Sequence, residues 1–143
     1  MEKIQFDSGV KQYRINGEGI LRFNPADPNV YARFLEAADK IRDLEKGLTD
    51  KAKADADGFA AVKLMADADK QMKEILNWVF GEGNDMNAAL GGINLLAMAD
   101  NGERVVTNLF AALQPVLVAG AQSCAKETAD AAVRKAKARR AAQ

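Results

Sequence analysis

A few groupings in this sequence have the residue types and spacing that chemistry uses. Asp55-x-Asp57-Gly58 has the alternating aspartates and sharp-turn glycine of a calcium loop. That register puts Lys53 and Leu64 at the first and twelfth ligand positions, and neither can coordinate calcium. Asp67-x-Asp69 has no glycine beside it, so both pairs are expected to be solvated helix surface. Gly81-x-Gly83 has the start of a phosphate-cradling loop, in which bare backbone N–H groups face an anion. Met86 stands where the third glycine belongs, and the preceding segment has a helical pattern, so an inter-helix loop is expected. Gly91-Gly92 is expected to be a tight bend or a point where two backbones touch. Cys124 lies beside Lys126, a neighbour that lowers a thiol pKa when the two face each other. A small buried helix residue is the expected role. No metal site and no cofactor site follows.

Histidine is absent. Serine–histidine and cysteine–histidine catalysis, histidine metal sites and the commonest neutral-pH base are therefore excluded together. No carboxylate pair stands out from the helical surface charge, so no catalytic residue is assigned and the protein is expected not to be an enzyme. The remaining candidates are partner contacts. Trp78 and Phe80 sit at a helix end, as core or as anchors for a partner. Val106 and Phe110 belong to the broadest apolar stripe. Arg139 and Arg140 close a run, Arg134–Arg140, with five basic residues and no acid. Such a run can contact phosphates. It lacks interleaved aromatics and a reading helix, so a solvated tail is expected and nucleic acid is not an expected partner.

The elements that must position these residues begin with period-two alternation at Ile4-Gln5-Phe6, Tyr13-Arg14-Ile15 and Leu21-Arg22-Phe23. Asn16-Gly17 between the last two is a hairpin-turn signal, because such turns need positive φ. Two or three short antiparallel strands ending near Asn24 are predicted. Asp27 caps a helix that starts on Pro28. Its stripe is Val30, Phe34, Ala38, Ile41, Leu44 or Glu45, and Leu48, over about twenty residues. Gly47 and Gly58 are candidate breaks. A second helix is predicted from near Phe59 to near Phe80, with Phe59, Val62, Ala66, Met72, Leu76 and Val79 on one face. Asp100-Asn101-Gly102 is a further break, and Val105–Leu117 is a broad stripe that Pro115 should kink or end. The predicted fold is mainly α with a small N-terminal antiparallel β-hairpin (α+β), a helical bundle of three to five helices. Residues 1–133 form one domain, with the hairpin in 1–24 and helices in 28–133, and 134–143 form a basic, flexible tail.

Composition bounds the function. The chain has 143 residues, 20 basic and 20 acidic, for a formal net charge of zero. It neither seeks polyanions nor repels its own copies, so a homo-oligomer is open. Its single cysteine excludes an intrachain disulfide and a cysteine zinc cage. No signal-peptide core is visible at the N-terminus and no run approaches the ~18 apolar residues of a membrane span. A cytosolic protein without a membrane partner is expected.

Arg22-Phe23-Asn24-Pro25-Ala26-Asp27-Pro28-Asn29-x-Tyr31-x-Arg33-Phe34 carries a resemblance, strengthened by Phe80–Asp85, Gly91–Leu96 and Asn101–Asn108. Together these stretches resemble small proteins of tailed phages and prophages that look like tail assembly chaperones. The resemblance implies a non-enzymatic protein of the host-cell cytosol. Its client would be another phage protein, the long helical tape-measure protein, held soluble until tail-tube subunits polymerise around it. Two alternatives stay open: a phage protein that binds a host protein or a signalling nucleotide to counter defence, and a virion or DNA-associated structural protein. A continuous apolar groove favours the chaperone. A cationic pocket favours the defence-blocking class.

Overall fold

The computed structural model describes residues 1–54 and 58–142. Strands β1 (Lys11–Ile15) and β2 (Gly19–Phe23) form an antiparallel hairpin, and the helices among the described residues are α1 (Pro28–Ala54), α2 (Gly58–Phe80), α3 (Met86–Ala89) and α4 (Val105–Ala142). The predicted mainly α fold with a small N-terminal hairpin is the observed one. Asn16 and Gly17 both take positive φ, 48° and 92°, in the three-residue connection from Ile15 to Gly19. The capping expectation also holds, with the Asn29 N–H donating to Asp27 Oδ1 at 2.9 Å.

The period-two faces sort as a half-buried hairpin requires. Leu21 and Phe23 are buried and Tyr13 and Ile15 half-buried, whereas Gln12, Arg14, Ile20 and Arg22 face outward. Phe23 lies between Tyr13 and Phe80, with ring centroids at 4.7 and 4.8 Å. β2 rests on α3, where Gly19 approaches the carbonyl of Ala89 so closely that a Cβ would collide with it. One apolar cluster joins the hairpin, α1, the second half of α2, the Leu95–Leu96 loop and the first half of α4.

Helix α4 runs antiparallel to α1. Arg104 borders the same hollow as Leu48, Phe110 meets Phe34 at 5.1 Å, and Gly120 lies against the Pro25 carbonyl. Beyond Gly120 no residue of α4 is buried, so the helix leaves the core with about 22 residues, some 33 Å, still to run.

Several expectations are corrected. Ile4–Phe6 is not a strand, and Ile4 and Phe6 are 91% and 81% exposed. A turn ahead of β1 carries this arm elsewhere: Gly9 has φ +72° and donates to Asp7 Oδ1, while Asn24 Nδ2 donates to the Ser8 carbonyl. Gly47 does not break α1, which continues to Ala54; a helical glycine costs only about 0.5–1 kcal/mol against alanine. Pro115 does not end α4. Its missing bond frees the carbonyl of Ala111, an exposed residue. Residues 134–142 continue α4 as exposed helix, an observation that leaves the expected flexibility of this basic end untouched. Phe59, Val62 and Ala66 of the α2 stripe are exposed, because at about 100° per residue they are turned away from Ala61 and Met65, which face the hollow shared with Leu48 and Arg104. An 18-residue window of α4, with mean hydropathy 1.4, is long and apolar enough by composition to cross a membrane, contrary to expectation. Alanines raise that mean, and Val106, Leu109, Leu113 and Leu117 of the same helix are core.

Candidate functional site

Between the hairpin and α4 lies a cleft of about 510 Å³, bordered by Tyr13, Ile15, Leu90, Ile93, Val105 and Val116 among others, with Arg14 its one charged lining residue. Each element supplies apolar groups that its own packing leaves half-covered. Tyr13 and Ile15 come from the inner face of β1, Val105 and Val116 from the flank of α4, and Ile93 is 45% exposed. Such a volume is in the range of ligand-sized hollows, and its lining suits aliphatic or aromatic side chains. Its lining holds no aspartate, glutamate, cysteine, serine or threonine.

The wall carrying Leu90 and Ile93 is fixed from behind by a buried ion pair. Lys73 Nζ lies 2.9 Å from Asp69 Oδ2 and donates to Asn87 Oδ1 at 2.6 Å and to the Ile93 carbonyl at 2.7 Å. Asp69 Oδ1 accepts the Leu95 N–H at 2.7 Å. Both charges are buried, and among the described residues no buried side-chain polar atom lacks a partner. A lysine so completely bonded holds the 86–104 segment on α2 and has no free group to offer a substrate. Asp69 is thus no solvated surface residue, correcting that expectation. The signal was present: Asp69, Met72, Lys73 and Leu76 follow the helical spacing of the buried stripe, with acid and base at i, i+4.

Asn84, expected only as loop, closes the outer edge of β2. Its Oδ1 accepts the Arg22 N–H and its Nδ2 donates to the Arg22 carbonyl, both at 2.8 Å. One side-chain amide thereby substitutes for a strand. The Gly81–Gly83 and Gly91–Gly92 segments are turns with positive φ, as expected.

The predicted partner residues do not form one surface. Phe80 and Val106 are 5% and 1% exposed and belong to the core, which corrects their assignment as contacts: Phe80 packs on Phe23, and the Val106 N–H is held by the Leu95 carbonyl at 2.8 Å. Trp78 is 44% exposed, with Lys40 Nζ 5.1 Å from its ring centroid. Phe110 is half-buried against Phe34, on the α1–α4 side. Arg139 and Arg140 are exposed at the far end of α4. Cys124 is half-buried, and its neighbour Lys126 points to Asp130, 3.9 Å away. Asp55 and Asp57 lie outside the described residues. Among the described residues no three histidine, cysteine, aspartate or glutamate side chains gather as a metal-binding group.

No protein-family model, curated protein or solved structure matches this chain.

Proposed function

We propose that the protein works by stoichiometric binding, as a tail assembly chaperone that holds an amphipathic helical client such as a tape-measure protein. The observation that carries this reading is the lining of the cleft, apolar on the hairpin, loop and α4 sides with a single charged residue. An apolar hollow between a sheet and a helix receives the apolar face of a client helix by burying area. A signalling nucleotide needs several cations or backbone donors around its phosphates, and Arg14 alone does not supply them. The half-exposed Ile93 gives the rim an apolar contact.

The test is a purified tape-measure fragment kept in solution with and without the protein, at low and moderate salt. The expected result is suppressed aggregation at near-equimolar ratio, hardly changed by salt, and its loss in Ile93→Asp. Equal aggregation with and without the protein overturns the reading. Suppression that weakens steeply with salt would assign client holding to charged contacts, such as the basic end of α4, instead of the apolar cleft.

A further inference from the structure

The sheet lacks a strand on one side, and the same molecule carries an unpaired strand. Because Arg22 gives its N–H and carbonyl to Asn84, it points away from β1, and Gln12 opposite it is a non-hydrogen-bonded partner in the ladder. The backbone groups of Gln12, and by alternation those of Arg14, therefore point outward from β1. No third strand meets them, since the sheet has two. This open edge borders the apolar cleft, to which Tyr13, Arg14 and Ile15 all contribute. The arm ahead of β1 has period-two alternation at Ile4-Gln5-Phe6, yet Ile4 and Phe6 cover nothing.

We infer that two copies of this chain exchange their N-terminal arms, the Ile4–Phe6 segment of each pairing with the open edge of β1 in the other and seating Phe6 in the apolar cleft. The hydrogen bond from Asn24 to Ser8 and the Asp7–Gly9 turn hold the arm at the end of β2, which sets it away from its own β1 edge. Charge agrees with a second copy as the occupant. The edge presents Lys11 and Arg14, exposed and in no ion pair among the described residues, and the arm brings Glu2 and Asp7 along with the single base Lys3. Edge cations discourage pairing with indiscriminate strands, and the two carboxylates of the arm can meet them. Area agrees as well. An aromatic ring buries about 150–250 Å² and covers a similar area of the wall it meets, and a two-fold exchange makes every contact twice. The two Phe6 rings and the walls they meet then account for about 600–1,000 Å² of the roughly 1,200 Å² at which specific interfaces begin, and Ile4 and the paired backbone add to it.

A consequence, resting on the chaperone reading, is that the exchanged arm occupies the client cleft and must leave before a client enters. The experiment uses the full chain and a full-length double variant, Ile4→Asp with Phe6→Asp, whose substituted residues are exposed in the folded protomer. Mass by light scattering should show a dimer for the parent and a monomer of unchanged helical content for the variant. Amide exchange at Gln12 and Arg14 should be slow in the parent and fast in the variant. A monomeric parent, or a variant that stays dimeric, overturns the exchange. A monomeric parent with protected Gln12 and Arg14 amides would show the arm folding onto its own β1, which also overturns it. Binding of a synthetic amphipathic Leu/Lys helix of about twenty residues should tighten about tenfold in the variant. Unchanged peptide affinity beside a lost dimer leaves the exchange standing and overturns its control of the cleft. Absence of peptide binding in both proteins removes the chaperone reading alone.

Discussion

The two halves of α4 come from one continuous helix and behave as two kinds of structure. From Val105 to Gly120 every turn contributes a buried residue, Val106, Leu109, Leu113, Leu117 and Gly120. From Ala121 to Ala142 none is buried. Helices α1 and α2 divide in the same way. Phe34, Ile41, Met72, Leu76 and Val79 are core, whereas Leu44 and Leu48 are half-covered and Val62 is 63% exposed. The packed regions coincide with the hairpin and the Leu95–Leu96 loop. A stripe on a helix is only an offer of apolar area; a third element must be there to take it up, and helical periodicity is blind to that element. Stability should be concentrated where the loop and hairpin sit, and the projecting ends should be available to partners.

The strongest test of that contrast is at Lys73. Lys73→Ala leaves Asp69 charged, buried and holding only the Leu95 N–H, and frees the Asn87 amide and the Ile93 carbonyl. Breaking such a pair typically costs about 3–5 kcal/mol. Denaturant unfolding should show a loss of that order. The double replacement Asp69→Leu with Lys73→Met should recover only the share due to the unpaired charge, since the Leu95 N–H, the Asn87 amide and the Ile93 carbonyl still lose their partners. A loss below about 1 kcal/mol for the single variant would mean that the loop is held by its apolar residues alone.

Next in size is Leu117→Ala, in the last fully packed turn of α4. Leu117 is completely buried, and such truncations cost about 2–5 kcal/mol. Val62→Ala, the same chemistry on the projecting part of α2, should change stability by less than about 0.5 kcal/mol. Equal effects at the two sites would erase the distinction between packed and projecting helix.

A smaller effect belongs to the boundary itself. Gly120 is the last buried residue of α4, and a Cβ there would collide with the Pro25 carbonyl. Gly120→Ala gains helix propensity but pushes α4 off the turn that starts α1. The expected net loss is about 1–3 kcal/mol, as for other overpacked contacts. An increase in melting temperature would show that α4 yields freely at this point and is already loose there.

The hairpin, its Asn-Gly turn and the three main helix starts were legible, because each rests on local chemistry: positive φ at Asn16 and Gly17, and an aspartate cap before Pro28. Gly47 misled because a single glycine weakens a helix without ending it. Ile4–Phe6 has the alternation of a strand, but pairing needs a neighbour that local pattern does not supply. Asp69 and Lys73 were hidden by the rule that charges lie outside, although their spacing placed them on the buried stripe. The cleft was the least legible feature. Its walls come from β1, the 90–99 loop and α4, far apart in sequence, and no short motif marks them. Of the residues named as partner contacts, Phe80 and Val106 were taken by the core for the very apolarity that nominated them.

The smallest stability effect should come from removing the chain after Val133, and it sharpens the comparison most cleanly. Residues 134–142 are all exposed and contribute only alanine as apolar side chains. An isolated helix of that length is marginal in water, because nucleation is costly. Here the packed first half of α4 supplies the nucleus, so the end propagates as helix while bonding to no other element. Truncation should therefore leave the unfolding midpoint within about 0.5 kcal/mol of the parent and lower the helical circular dichroism only by the residues removed. A larger loss would mean that the end of α4 folds onto the core and would dissolve the contrast between the two halves. The same variant separates the two modes of binding. Client holding in the apolar cleft should survive, with its weak salt dependence. Any salt-sensitive affinity for nucleic acid should vanish with the five basic residues between Arg134 and Arg140.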